Sequence, residues 1–345
     1  MSVRRWPALD GLRGFAILFV LAAHSAIVNV YVAGQIGVTL FFVLSGFLIT
    51  YLLLDEVDET GGVDLKAFYG RRALRLLPAL LVYLVGIALL MSSLGLGLPI
   101  WDMTWPPAVY MANYVQILGQ DLYAHRHLWS LAVEEHFYLV WPVLVWLGAT
   151  RRLKILGLVL VGLVAWRVGI GAINPVWAYE STDTNAYALG LGCLVAAAHH
   201  RGWRMRLHRR TAEAGVILLA FLSLVPVRSL DHLYEIGVWL PPLAAMVAAL
   251  CVYAAVELRP AFLGARGLRW FGGISYGLYL WHAPLLQIPE LADSRLTRLT
   301  AVGLAIGIAW LSWTWIESPI LKSRLRQRFL ARSRRAEITI SNSQA

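Results

Sequence analysis

The chain has 345 residues, 59% of them hydrophobic and 14% charged, with a formal net charge of +10. An ordinary soluble domain is about a quarter charged, so a water-soluble fold has no place for this much apolar surface, whereas a bilayer accepts it at about 20 apolar residues per spanning helix. The basic excess admits nucleic acid as a partner only if it is clustered on a surface, and its distribution along the chain argues otherwise.

Apolar segments separated by polar, basic punctuation predict ten helices in chain order. They run Leu12–Val30, Ile36–Leu54, Leu76–Leu98, Leu128–Ala149, Ile155–Ile173, Thr184–Ala198, Ala212–Val227, Ile236–Val256, Phe271–Ile288 and Leu299–Ile316. With the N-terminus inside, one side of the membrane receives every Lys and Arg except Arg126, Arg228, Arg295 and Arg298, which fall opposite, and Arg167, which lies within a helix. Cytoplasmic loops attract Lys and Arg in this way. The fold class is therefore an all-α polytopic membrane protein of about ten transmembrane helices with both termini cytoplasmic. Nucleic acid is excluded as a partner, and the bilayer takes its place. The domain reading is one transmembrane unit over 1–320 and a basic, polar cytoplasmic tail over 321–345.

Three further readings narrow the class. Asp10, Arg13 and the placing of His24 argue against a cleaved signal peptide at the first segment. Cys193 and Cys251 sit in apolar stretches and read as small hydrophobes, with neither disulfide nor metal spacing. No internal repeat is visible, which weighs against inverted-repeat transporter folds.

Ionisable residues at membrane depth are costly and mark function. The first helix carries His24, the fourth Glu134, Glu135 and His136, the fifth Arg167 and the ninth His282. With about 1.5 Å of rise per residue, His24 lies about 16 Å above Arg13, and His282 about 16 Å above Phe271. Glu134 lies about 9 Å below the outer end of its helix. In a core about 30 Å thick these three groups share one layer. Such a layer suits removal of a hydroxyl proton by histidine, with a carboxylate fixing the tautomer. The bland alternative is a buried Glu134–Arg167 ion pair and a structural His24. At the inner side, Arg71-Arg72-Ala73-Leu74-Arg75 is either a positive-inside anchor or a phosphate site, Arg72 and Arg75 sharing a face once their helix has begun.

The motifs then become recognisable. Leu9-Asp10-Gly11-Leu12-Arg13-Gly14 followed by His24, Phe41-Phe42-Val43-Leu44-Ser45-Gly46, and Arg71-Arg72-x-x-Arg75 resemble the membrane acyltransferase-3 family. So do His127-x-Trp129-Ser130 through Glu134-Glu135, Ile274-Ser275-Tyr276-Gly277 through His282-x-Pro284, and Glu317-x-Pro319. The motifs stand in family order from residue 9 to 319. The resemblance implies a ten-helix enzyme moving an acyl group, commonly acetyl, from cytoplasmic acyl-CoA to a hydroxyl. The acceptor it implies is a sugar of a cell-surface glycan or glycolipid, or a secondary metabolite such as a macrolide. It implies His24 and Glu134 as catalytic residues and Arg13, Arg72 and Arg75 as donor-binding residues. Asp10, Ser45, Tyr276 and His282 are expected to line the site. Acyl-CoA is a substrate in this reading, with no permanently bound cofactor and no metal.

Two departures from the family pattern stand out: His136 replaces a frequent Gln, and Thr184-Asn185-Ala186-Tyr187 replaces an Arg-x-Asp. The extracytoplasmic hydrolase-like domain fused to some members is absent from the sequence, so transfer is expected to finish in the membrane unit or on a partner. A proton-coupled transporter or flippase relaying protons through His24, Glu134 and His282 is the rival class; it leaves the basic mouth without a role.

Overall fold

The structure is a computed structural model that describes residues 6–27, 30–95, 97, 99–287 and 294–323. The tail expected beyond 323 lies outside the described residues. These residues form helices and turns, with no strand among them. In order they are α1 (Pro7–Ser25), α2 (Tyr31–Thr60), α3 (Leu65–Ser93), α4 (Ile100–Ala108), α5 (Ala112–Ile117), α6 (Trp129–Trp146) and α7 (Leu153–Gly171). They continue as α8 (Pro175–Glu180), α9 (Thr182–His200), α10 (Thr211–Leu222), α11 (Leu230–Glu257), α12 (Arg266–Gln287), α13 (Arg295–Ser312) and α14 (Ser318–Lys322).

Each of the ten predicted segments falls on one helix. Among the described residues, six helices have the length and apolarity to cross a membrane: α1, α2, α3, α7, α11 and the run from α13 through α14. The chain is thus a polytopic membrane protein. α10, with 12 residues, is about 18 Å long and shorter than the hydrocarbon core.

α1 lies between α2 and α12, and α2 in turn packs on α9 and α11. Glycines allow these approaches. A Cβ on Gly14 would come 2.2 Å from the Leu268 carbonyl oxygen, and one on Gly272 would come 2.0 Å from that of Asp10. The glycines of the first-helix motif therefore hold α12 against α1.

Prolines create the second ordering device. Pro241 and Pro242 sit inside α11 and cannot donate to the carbonyls four residues earlier, those of Gly237 and Val238. Arg167 of α7, fully buried at 0% exposure, donates to both of those carbonyls. It also donates to the carbonyls of Ala178 and Thr184 and to Asn185 Oδ1. Backbone carbonyls are an established way of satisfying a cation in a membrane. The alternative of a Glu134–Arg167 ion pair is thus overturned. Arg167 also supplies a cation at Thr184-Asn185, where the resemblance leads one to expect an arginine of α9 itself.

Candidate active site

α1 starts five residues before the predicted boundary, because Pro7 is suited to the first helical position. It ends at Ser25, followed by Ala26 in the left-handed region at φ 49°. His24 therefore stands in the last turn, partly open to its surroundings. Its Nδ1 donates to the Val20 carbonyl at 2.9 Å, which leaves Nε2 as the ring's lone-pair nitrogen in the neutral form.

Two further imidazoles meet it. His282 of α12 lies edge-on to His24 with ring centroids 4.9 Å apart, and His127 lies 5.2 Å from His282. His282 Nδ1 faces the carbonyls of Leu278 and Tyr279 at 3.0 and 2.7 Å. His127 belongs to a short 3₁₀ turn, Tyr123–Leu128, that leads into α6.

Glu134 is on a different level. The turn before α6 is already buried, with His125, His127 and Leu128 at 5% exposure or less. Counting depth from Leu128 as an outer end therefore places Glu134 too high. It lies seven residues beyond His127, about 10 Å further along the helix. There its Oε1 accepts from Ser45 Oγ at 3.0 Å and its Oε2 from the Tyr138 hydroxyl at 3.2 Å. Arg72 Nη2 is 4.0 Å away. The expectation that Glu134 shares a layer with His24 and orients it is corrected: the Val20 carbonyl orients His24, and Glu134 belongs with Ser45, Tyr138 and Arg72.

The Arg71-Arg72-x-x-Arg75 run lies within α3, so its residues do share a helix. Their partners differ. Arg71 pairs with Glu56 at 3.2 Å. Arg72 lies 3.6 Å from Glu135 and sits over the Tyr138 ring at 3.5 Å. Arg75 makes no hydrogen bond or ion pair among the described residues; Arg13 and Arg72 are the cations acting on it and Glu317 the carboxylate. Arg13 Nε is buried without a hydrogen-bond partner among the described residues.

A narrow cavity of about 60 Å³ lies at the Glu134 level. Arg13, Glu134, Ser130, Tyr276 and Tyr279 line it, with Phe41 and Phe42 on the apolar side. The Tyr279 hydroxyl donates to the His127 carbonyl at 2.7 Å and lies 2.5 Å from Ser130 Oγ. Its ring touches both His127 and His282. Tyr276 lines the cavity and donates to the Leu76 carbonyl at 3.0 Å. Asp10, Ser45, His282 and His24 itself are absent from the lining; the Asp10 carbonyl is the surface on which Gly272 rests. No group of three or more metal-type side chains that could hold an ion occurs among the described residues.

His127, Ser130 and Tyr279 had no role in the sequence reading. They stand inside the motifs quoted, but His127 precedes a predicted span and lies in a 3₁₀ turn without apolar periodicity, while Ser130 and Tyr279 are uncharged residues within spans, where only charge is read as a signal.

The family model described as an acyltransferase domain matches residues 6–316. The chain belongs to that acyltransferase-3 family. Among curated relatives, it is 31% identical to a peptidoglycan O-acetyltransferase, OatA, of Listeria monocytogenes, over 92% of this chain and 56% of the relative. It is 30% identical to a putative peptidoglycan O-acetyltransferase of Bacillus subtilis, over 91% of this chain and 54% of the relative. A putative O-acetyltransferase of Staphylococcus aureus is 29% identical over 94% of this chain and 59% of the relative. The chain thus spans little more than half the length of these relatives. No solved structure matches it. Membership makes this chain an acyltransferase domain built on membrane helices.

Proposed function

We propose that the chain moves an acyl group, in the first instance acetyl, from acyl-CoA to a hydroxyl of a cell-surface glycan, with peptidoglycan as the first acceptor to test. The observation that carries this reading is the placing of Arg13 and Arg75. Arg13 lines the narrow cavity and Arg75 lies within electrostatic reach of Arg13, neither with a carboxylate hydrogen bond among the described residues, and Tyr279 of the same lining touches the His282 ring. Guanidinium groups bind phosphate oxygens in pairs of hydrogen bonds, so this place suits the phosphates of CoA. The distribution of basic residues supports its facing the cytoplasm.

In this reading Arg75 and Arg13 hold the donor phosphates, and Arg72 holds Glu134 and Glu135 in place. The thioester enters the cavity beside Ser130 and Tyr279. His24 Nε2 takes the acceptor's hydroxyl proton; the O–C bond to the acyl group forms, the C–S bond breaks, and the thiolate leaves protonated as free CoA. The names of the relatives favour a glycan acceptor over a secondary metabolite.

The test is His24→Ala in membranes supplied with labelled acetyl-CoA. Loss of label transfer supports the reading, and transfer at the wild-type rate eliminates it.

A further inference from the structure

The three imidazoles share an unusual arrangement. Each is oriented by a backbone carbonyl: His24 by Val20, His282 by Leu278 and Tyr279, His127 through Nε2 by Leu280. An imidazole that donates to a carbonyl from one nitrogen presents a lone pair on the other. His282 Nε2 and His127 Nδ1 are both buried and have no hydrogen-bond partner among the described residues. Structural histidines in a core are normally satisfied on both nitrogens, and a buried orphan of this kind calls for an explanation.

From this we infer that His282 is a positioning residue that shares the proton taken up by His24, with His127 as the next acceptor behind it. The inference rests on the reading of His24 as the base.

The groups around His24 support the assignment. His282 of α12 and His127 of the 3₁₀ turn are the titratable groups acting with it. On the α2 side its ring faces Gly34. From α13, Arg298 reaches the end of α1 and donates to the Ala26 carbonyl. Glu134, the nearest carboxylate suggested by the sequence, is occupied with Ser45 and Tyr138 a level away. A neutral lone pair is therefore what the fold offers the imidazolium formed during transfer.

Exposure settles which histidine meets substrate. His24 is partly open, whereas His282 is at 0%. In direct transfer the acceptor O–H bond breaks and the proton passes to His24 Nε2. While the acyl carbon forms its bond to the acceptor oxygen, His282 Nε2 accepts a hydrogen bond from that proton. As the C–S bond breaks, the proton goes to the thiolate sulfur, and both histidines return to their neutral forms. No co-reactant is needed.

The experiment measures label transfer from acetyl-CoA in detergent-treated membranes carrying the full chain, across pH. His282→Gln is expected to slow transfer by on the order of 10- to 100-fold and to move the acid limb of the profile to lower pH, because the protonated form of His24 loses its partner. Added imidazole is expected to restore part of the rate to His282→Gly. His199→Gln, which alters a buried histidine elsewhere, is expected to keep the wild-type profile.

If His24→Ala transfers at the wild-type rate, the functional reading itself falls. If His24→Ala is inactive but His282→Gln keeps the wild-type profile, the proton-sharing role is overturned and the functional reading stands. A slow His282→Gln with an unmoved acid limb and no imidazole rescue also overturns it, leaving a packing role. Should His282→Gln fail to accumulate, His127→Gln decides: a smaller loss with the same direction of shift supports the inference, and an unchanged profile overturns it.

Discussion

His127 Nε2 donates to the Leu280 carbonyl at 3.2 Å, and that carbonyl is free because Pro284, four residues on in α12, has no N–H to offer it. The proline of the His282-x-Pro284 motif thus sets the ring of a histidine on another element. Pro284→Ala supplies a helical N–H that competes for Leu280. Proline is about 3 kcal/mol worse than alanine in a helix interior, so the variant is expected to melt no lower than wild type while losing most of its transfer rate. Thermal melting in detergent beside an acetyl-transfer assay checks this; equal losses of both would point to misfolding instead.

The α1–α12 contact makes a second prediction. Gly272 has the Asp10 carbonyl where its Cβ would go, whereas a Cβ on the adjacent Gly273 meets nothing within 4 Å. Gly272→Ala is expected to cost about 1–3 kcal/mol by overpacking and to pull His282 from His24. Gly273→Ala is expected to be neutral, or stabilising by up to about 1 kcal/mol through helix propensity. Paired melting curves and transfer rates test the contrast.

The all-helical membrane class and the burial of ionisable residues among the helices were legible because apolar length and isolated charge are local properties of a sequence. Levels were not. Placing Glu134 a level away from His24 required knowing that Leu128 is buried, and only the packing of the 3₁₀ turn reveals that. The same holds for Arg167: its spacing gave a buried cation, but its partners depend on which carbonyls Pro241 and Pro242 release in α11. Motif residues such as Gly14 and Pro284 were visible as pattern, while their work lies in contacts with other helices.

Arg167 gives the next prediction. Arg167→Leu leaves the Val238 carbonyl without its side-chain donor and that of Gly237 with only the 3.5 Å contact from Gln35 Nε2, and it removes a link between α7, α9 and α11. Loss of such a buried network costs roughly 3–5 kcal/mol, so the yield of folded protein should fall. Arg167 does not line the cavity, so the folded fraction should retain its KM for acetyl-CoA. A changed KM in that fraction would show that Arg167 touches the donor path.

Arg75 and Arg71 separate donor binding from anchoring. Arg75 lacks a hydrogen-bonded carboxylate among the described residues, whereas Arg71 holds Glu56 at 3.2 Å. A hydrogen bond to a charged group contributes about 1.5–3 kcal/mol, so Arg75→Ala should raise KM for acetyl-CoA roughly 10- to 100-fold. Arg71→Ala should change it less than about threefold, because its guanidinium is already held by Glu56 and is not the group that meets phosphate. Equal effects at both positions would favour a membrane anchor over a phosphate site.

Glu180 carries a pH dependence that is separate from catalysis. It ends α8, between the candidate spans, at 5% exposure and with Oε2 unpartnered among the described residues. Burial disfavours its charged form and pushes its pKa from 4.5 to about 8, against a smaller opposing pull from Arg126. The folded chain therefore keeps a proton that the unfolded chain releases, and stability falls as pH climbs from about 4.5 through about 8. Glu180→Gln has no proton to lose at this position. Its melting temperature should match wild type at pH 4.5 and exceed it at pH 8.5, the gap opening between those values. Parallel melting curves across that range would place the charge elsewhere, because a titrating Glu180 must make them diverge.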